Sequence, residues 1–232
     1  MDDENLIYAP FEGIVPAPEY AAEVAAPPYD VLSSEEAKIH AQGLPYSFLH
    51  ISKAEIDLEA GISPYDDRVY DKAAENFRQM LDKGILRRQN KPCYYAYQMQ
   101  AGNHIQTGIA VAASVKAYLE GRIKRHELTR VAKENDRVRQ IRAVGAQTGP
   151  ALLFNRPLPA IKALLQRITA AAPYFSVTAD YGVRHSLWII DNDDDIAAIT
   201  NAFAAQNEAY IADGHHRSAA AARLAEETGG RR

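Results

Sequence analysis

Apolar positions recur at the spacing of one helical face from Val69 through Ala73 and Phe77 to Met80 or Leu81, opened by Pro64-Tyr65-Asp66 and stopped by Gly84. That spacing with those punctuators predicts a helix. Upstream, Pro10, Pro16, Pro18, Pro27 and Pro28 forbid a long helix outside the Ala-rich stretch from Glu19 to Ala25, so residues 5 to 32 read as extended and loop-rich. The aromatic and apolar run from Tyr46 to Ile51 reads as a strand. Cys93 to Met99 and Ile105 to Tyr118 form a predicted antiparallel hairpin about Gly102-Asn103. Beyond these come a short strand at Pro150 to Phe154, an amphipathic helix at Leu158 to Ala171 and a strand pair, Phe175 to Tyr181 and His185 to Ile190, about Tyr181-Gly182. A helix is expected from Asp193 to Ala205, then an apolar strand at Ala209 to Ala212 and a last helix through Ser218 to Leu224 that stops at Gly229-Gly230. The order gives an α/β protein of mixed, α+β character: a mixed sheet with antiparallel hairpins and flanking helices. No internal repeat or low-complexity linker interrupts it, and 232 residues suffice for one large or two small domains.

Composition narrows the classes of function. At 47% hydrophobic and 24% charged, the chain has ordinary globular composition and can build a sizeable core. Its net charge of -4 disfavours nucleic acid as a partner, and any polyanion must meet a local basic patch. The single Cys93 excludes an internal disulfide and, in Pro-Cys-Tyr-Tyr-Ala-Tyr, reads as a small core residue. With no apolar run of membrane-spanning length and no basic-then-apolar leader, the expected location is the cytoplasm, without membrane contact.

The densest chemistry lies near the C-terminus, where Ala209-Tyr210-Ile211-Ala212 runs into Asp213-Gly214-His215-His216-Arg217 and an alanine-rich helix. A strand that turns through glycine into a helix leaves unpaired N–H groups at the positive end of the helix dipole, a place that favours anions and phosphates. His215, His216 and Arg217 add side-chain donors there, and Asp213 offers a carboxylate for a hydroxyl or a cation. Capping alone would need one or two of these five residues. Metal ligation by the histidine pair is not expected, since adjacent residues at a helix start diverge by about 100° and no other Cys or His stands at ligand spacing along the chain.

From Glu120 to Arg142, eight basic residues stand against four acids. Arg130, Lys133 and Arg137 are spaced i, i+3, i+7 on a helix predicted from Arg130 to Val138 and share a face, with Val131 and Val138 on another. Such a stripe could be a solvated face paired with Glu134 and Asp136. His126-Glu127 just ahead of it adds an imidazole beside a carboxylate, a pairing suited to taking a proton from a hydroxyl or holding Mg²⁺ against a phosphate.

Five blocks, Pro27-Pro28-Tyr29-Asp30-Val31, Pro45-Tyr46-Ser47-Phe48-Leu49-His50, Arg125-His126-Glu127-Leu128-Thr129, Lys133-Glu134-Asn135-Asp136-Arg137 and Asp213-Gly214-His215-His216-Arg217, resemble in the same order the bacterial and archaeal family called domain of unknown function 1015. Ala54, where a proline is expected before Glu55, is a minor departure. The resemblance spans nearly the whole chain and implies a single domain over residues 1–232, and since family members look longer it implies a further C-terminal portion. The last block in turn resembles the phosphate-binding turn of the ParB and sulfiredoxin-like superfamily, which includes nucleotide-binding proteins and free-serine kinases. Sulfiredoxin chemistry needs a cysteine where this chain has His215, and is excluded. By that resemblance, Gly214, His215, His216 and Arg217, assisted by Arg130, Lys133 and Arg137, would hold the phosphates of ATP or ADP with Mg²⁺, while Glu127, His126 and Asp213 would carry catalysis. The implied function is nucleotide-dependent phosphoryl transfer to, or phosphohydrolysis of, a small hydroxylated, serine-like metabolite. The alternative is a nucleotide-responsive, ParB-like regulator without turnover. A homo-oligomer is compatible with either.

Overall fold

The computed structural model describes residues 5–179 and 182–229, and the chain divides into two compact units. Each is built from three chain segments. The first takes residues 1–22, 87–125 and 153–211, the second residues 23–86, 126–152 and 212–232. The architecture is mixed α/β, with antiparallel and mixed sheets and flanking helices.

The first unit is organised by a four-stranded sheet in the order His104–Ala110, Tyr94–Ala101, Arg184–Ile190, Phe175–Thr178, antiparallel throughout. The hairpin closes at the Ala101↔His104 pair, leaving Gly102-Asn103 as a two-residue turn, and Gly102 supplies the positive φ of 57°. Consecutive Tyr94, Tyr95 and Ala96 are all buried, so both faces of the sheet are covered here. On one face the helix Asp193–Ala204 brings Thr200 within 3.0 Å of the Tyr94 hydroxyl, with Phe203 packed against the rings of Tyr8 and Tyr94. On the other, Tyr95 packs at a tilt against Phe11 and its hydroxyl accepts from the Gly13 amide at 2.7 Å. A Cβ at Gly13 would stand 2.5 Å from that hydroxyl, so the approach requires glycine. Cys93 is buried in this cluster with Val15, Tyr95 and Leu187.

The second unit is helical. Asp66 caps the helix Asp67–Asp82, whose Val69, Tyr70, Ala73, Phe77 and Met80 are buried. Its end is a Schellman motif: Ile85 N–H donates to Met80 O at 3.0 Å and Gly84 N–H to Leu81 O at 2.9 Å, with Gly84 at φ 70°. The helix Val131–Val144 packs against this helix and against His215–Glu227, which makes it the central member of the three.

Three expectations need correction. Residues 46–51 form no strand: the chain turns at Pro45 and enters the short helix Leu49–Ser52, burying Leu49 and Ile51. The apolar run is too short for its periodicity to separate strand from helical turn, and tertiary burial decides. The strand expected as far as Tyr118 stops at Ala110, resumes for Ala112–Ala113, and gives way to the helix Val115–Leu119, because the Ser114 hydroxyl caps the Ala117 amide at 3.1 Å. The strand expected from Phe175 to Tyr181 is observed over Phe175–Thr178, and Tyr181 lies outside the described residues, as does Gly230.

Candidate functional site

All ten candidate residues fall in the second unit, on the segment that opens the helix 131–144 and on the turn that opens the helix 215–227. The strand Ala209–Asp213 ends at Asp213, and Gly214 turns the chain at φ 93°. A side chain at Gly214 would meet the Ala151 Cβ at 2.9 Å and the Ala151 Cα at 3.0 Å, so residue 214 is fixed by conformation and by space.

Two adjacent imidazoles clasp the 126–130 segment. His215 Nε2 accepts the backbone N–H of His126 at 3.4 Å, and His216 Nε2 accepts that of Arg130 at 3.0 Å. In each ring Nε2 is thus the accepting nitrogen, which leaves Nδ1 for other partners. The His215 Nδ1 faces Glu127 Oε2 at 3.5 Å, and the His126 ring meets the His215 ring edge-on with centroids 4.4 Å apart. The His215 side chain is 3% exposed and that of Glu127 is 62% exposed, so a buried imidazole presents an open carboxylate.

Arg217 is turned inward. Its guanidinium donates to the Pro150 carbonyl and, at 2.5 Å, to Asp213, and its side chain is only 16% exposed. Gly149 lies under the Arg217 side chain, where a Cβ would come within 3.0 Å of Cδ. The pair latches the 213–217 turn to residues 149–151. Asp213 is thereby paired with Arg217 although its side chain is 69% exposed, while Glu127 on the facing segment is paired with no arginine or lysine in this way among the described residues.

The basic stripe on the helix 131–144 is not uniform. Arg137 bonds Asp136 at 2.6 and 2.8 Å and lies over the Tyr29 ring at 3.9 Å, with 11% of its side chain exposed. Asp136 in turn accepts from the Tyr70 hydroxyl at 2.7 Å. Burial and the Asp136 bond push that hydroxyl above its ordinary range. Tyr29 is also pushed up by burial, against the positive charges of Arg137 and Arg217. Arg130 touches the clasp through its backbone, and its side chain and that of Lys133 are exposed. Val131 is exposed and Val138 buried, although both were expected on one face.

Tyr29, Gly149 and Pro150 carried no functional signal in the sequence. Tyr29 was visible only within one of the blocks that carry the family resemblance, and Pro150 only as the start of a strand. A second titratable cluster also lies in this unit. His50 donates from Nδ1 to Asp57 at 2.8 Å and from Nε2 to Leu44 O at 3.1 Å, between two shallow clefts of about 450 and 230 Å³. Both its ring nitrogens are engaged, which makes it a structural cation rather than a proton carrier.

Fold and site together define a mixed α/β protein with a strand–glycine–helix turn clasped to a His-Glu segment. Residues 8–231 match the family model described as protein of unknown function (DUF1015), and the chain belongs to that family. No curated protein and no solved structure matches. Among the described residues no helix is long and apolar enough to cross a membrane.

Proposed function

We propose that the second unit binds the phosphates of a nucleotide, ATP or ADP, at the 213–217 turn and uses Glu127 to activate a small hydroxylated acceptor, serine-like, or water. One observation carries this reading: Glu127, remote in sequence, stands open beside the buried His215 at the head of a helix preceded by a glycine turn. A helix N-terminus favours phosphate oxygens, and a carboxylate within reach of the acceptor can take its proton as the phosphoryl group transfers. His215 Nδ1 faces that carboxylate at 3.5 Å, and His126 lies against the same ring. The exposed Arg130 and Lys133 supply positive charge nearby. The likeness of Asp213-Gly214-His215-His216-Arg217 to ParB and sulfiredoxin-like phosphate turns supports the nucleotide. Mg²⁺ fits here through Glu127 and phosphate oxygens, neutralising charge as the phosphoryl group moves.

Phosphorus NMR of the purified chain with ATP or ADP, Mg²⁺ and a pool of small metabolites tests this. The expected outcome is consumption of nucleotide that falls about a hundredfold or more in Glu127→Gln, with nucleotide binding retained. Binding without turnover by either protein is the outcome expected of a nucleotide-responsive regulator and overturns the enzymatic reading.

A further inference from the structure

The geometry points to a binding site for one divalent transition-metal ion of the zinc class, formed by His126, Glu127 and His215. Their ligand atoms, an imidazole nitrogen from each histidine and a carboxylate oxygen, all lie within 4.8 Å of one another. Two ligands of one tetrahedral ion stand about 3.3 Å apart, given metal–donor bonds of about 2.0–2.1 Å. The 3.5 Å between His215 Nδ1 and Glu127 Oε2 is long for a hydrogen bond but close to that span.

The remaining closure is asked of His126 and Glu127, both exposed, while buried His215 serves as the fixed anchor. Ligation through Nδ1 displaces its proton to Nε2 and surrenders the His126 amide bond, which at 3.4 Å is the weakest contact of the clasp. His216 keeps its own 3.0 Å bond to Arg130 and so holds the segment in register. Two nitrogens and one carboxylate oxygen suit Zn²⁺, Co²⁺ or Mn²⁺ better than Mg²⁺, which prefers oxygen throughout. Three protein ligands leave a fourth position open, the pattern of catalytic rather than structural sites.

This inference does not rest on nucleotide turnover and is tested without nucleotide. The full chain, stripped with a chelator, is titrated with Co²⁺ and read by visible absorption, with Zn²⁺ added afterwards as competitor. One equivalent of Co²⁺ is expected, with an absorption band that Zn²⁺ abolishes. His126→Ala and Glu127→Gln each weaken binding by more than about tenfold, the scale on which even outer-shell changes act. His104→Ala, at an exposed site on the other unit, leaves it unchanged. Both test positions are exposed and circular dichroism checks each variant, so a loss of binding is separable from a loss of fold. Failure of the folded wild type to take up either metal, equal binding in both test variants, or an equal loss in His104→Ala overturns the site. The two readings share Glu127 but fail separately: metal uptake is measured here without nucleotide, and nucleotide consumption is measured by phosphorus NMR.

Discussion

His216 and Arg130 are joined by a hydrogen bond from the Arg130 backbone amide to the His216 Nε2 at 3.0 Å, and through it the first turn of one helix pins the N-cap of another. No residue 86 positions away could be assigned as its partner from local pattern. His216→Ala should leave the helices intact and loosen residues 126–130. The expected loss is about 1 kcal/mol, the usual net worth of one neutral hydrogen bond. Hydrogen exchange at the Arg130 amide should accelerate, and an unchanged exchange rate there would show that the bond carries no weight.

Arg217→Ala should lower the melting temperature. The guanidinium is bonded to Pro150 O and Asp213 and is mostly buried, so its removal unlatches the 213–217 turn from residues 149–151 and empties the space the side chain fills. A loss of about 2 kcal/mol is expected, corresponding to a fall of several degrees for a chain of this size. Differential scanning fluorimetry reads it directly. A side chain that served only as an open phosphate donor would leave the melting temperature where it is.

Gly214→Ala should be costlier, about 3 kcal/mol, because it forces an L-residue to φ 93° and drives its Cβ to 2.9 Å from that of Ala151. The double variant Gly214→Ala, Ala151→Gly recovers the part due to the Cβ–Cβ contact and leaves the backbone strain. Equilibrium denaturation of the two singles and the double separates these contributions. Full additivity of the single effects would mean that Ala151 is not the obstacle.

The His50–Asp57 pair predicts a pH window. His50 is held above the ordinary histidine value of 6.5, chiefly by its bond to Asp57. For Asp57, burial pushes upward, but the bonds from His50 and Asn76 and the His50 charge outweigh it and hold the carboxyl below 3.8. A raised histidine contributes fully below pH 6.5 and loses its contribution as pH rises through the folded value. A lowered carboxyl contributes fully above 3.8 and loses its contribution as pH falls through the folded value. The stability advantage of the wild type over His50→Ala should therefore be largest between about pH 3.8 and 6.5 and shrink at higher pH. Denaturation midpoints across pH 4 to 9 check it, and an advantage that grows above neutrality would reverse the sign.

The helix 67–82 was legible in the sequence because its determinants are local: one apolar face, an Asp66 cap and a glycine at the Schellman position. The hairpin about Gly102-Asn103 and the strand-to-helix turn at Gly214 were legible for the same reason, since each requires a positive φ at a glycine. By itself the sequence thus determined the mixed α/β class, most elements and the two segments that carry the chemistry. Only the tertiary structure decided which groups meet. His126 and His215 lie 89 residues apart, and ligand spacing along the chain carried no sign that one imidazole would face the other. Arg217 and Arg137 read as phosphate donors until their partners, the Pro150 carbonyl and the Asp136–Tyr29 pair, were brought to them by packing. Periodicity and capping act over a turn or two of chain, whereas the partner of a charge or an imidazole is set by which surfaces are buried against each other.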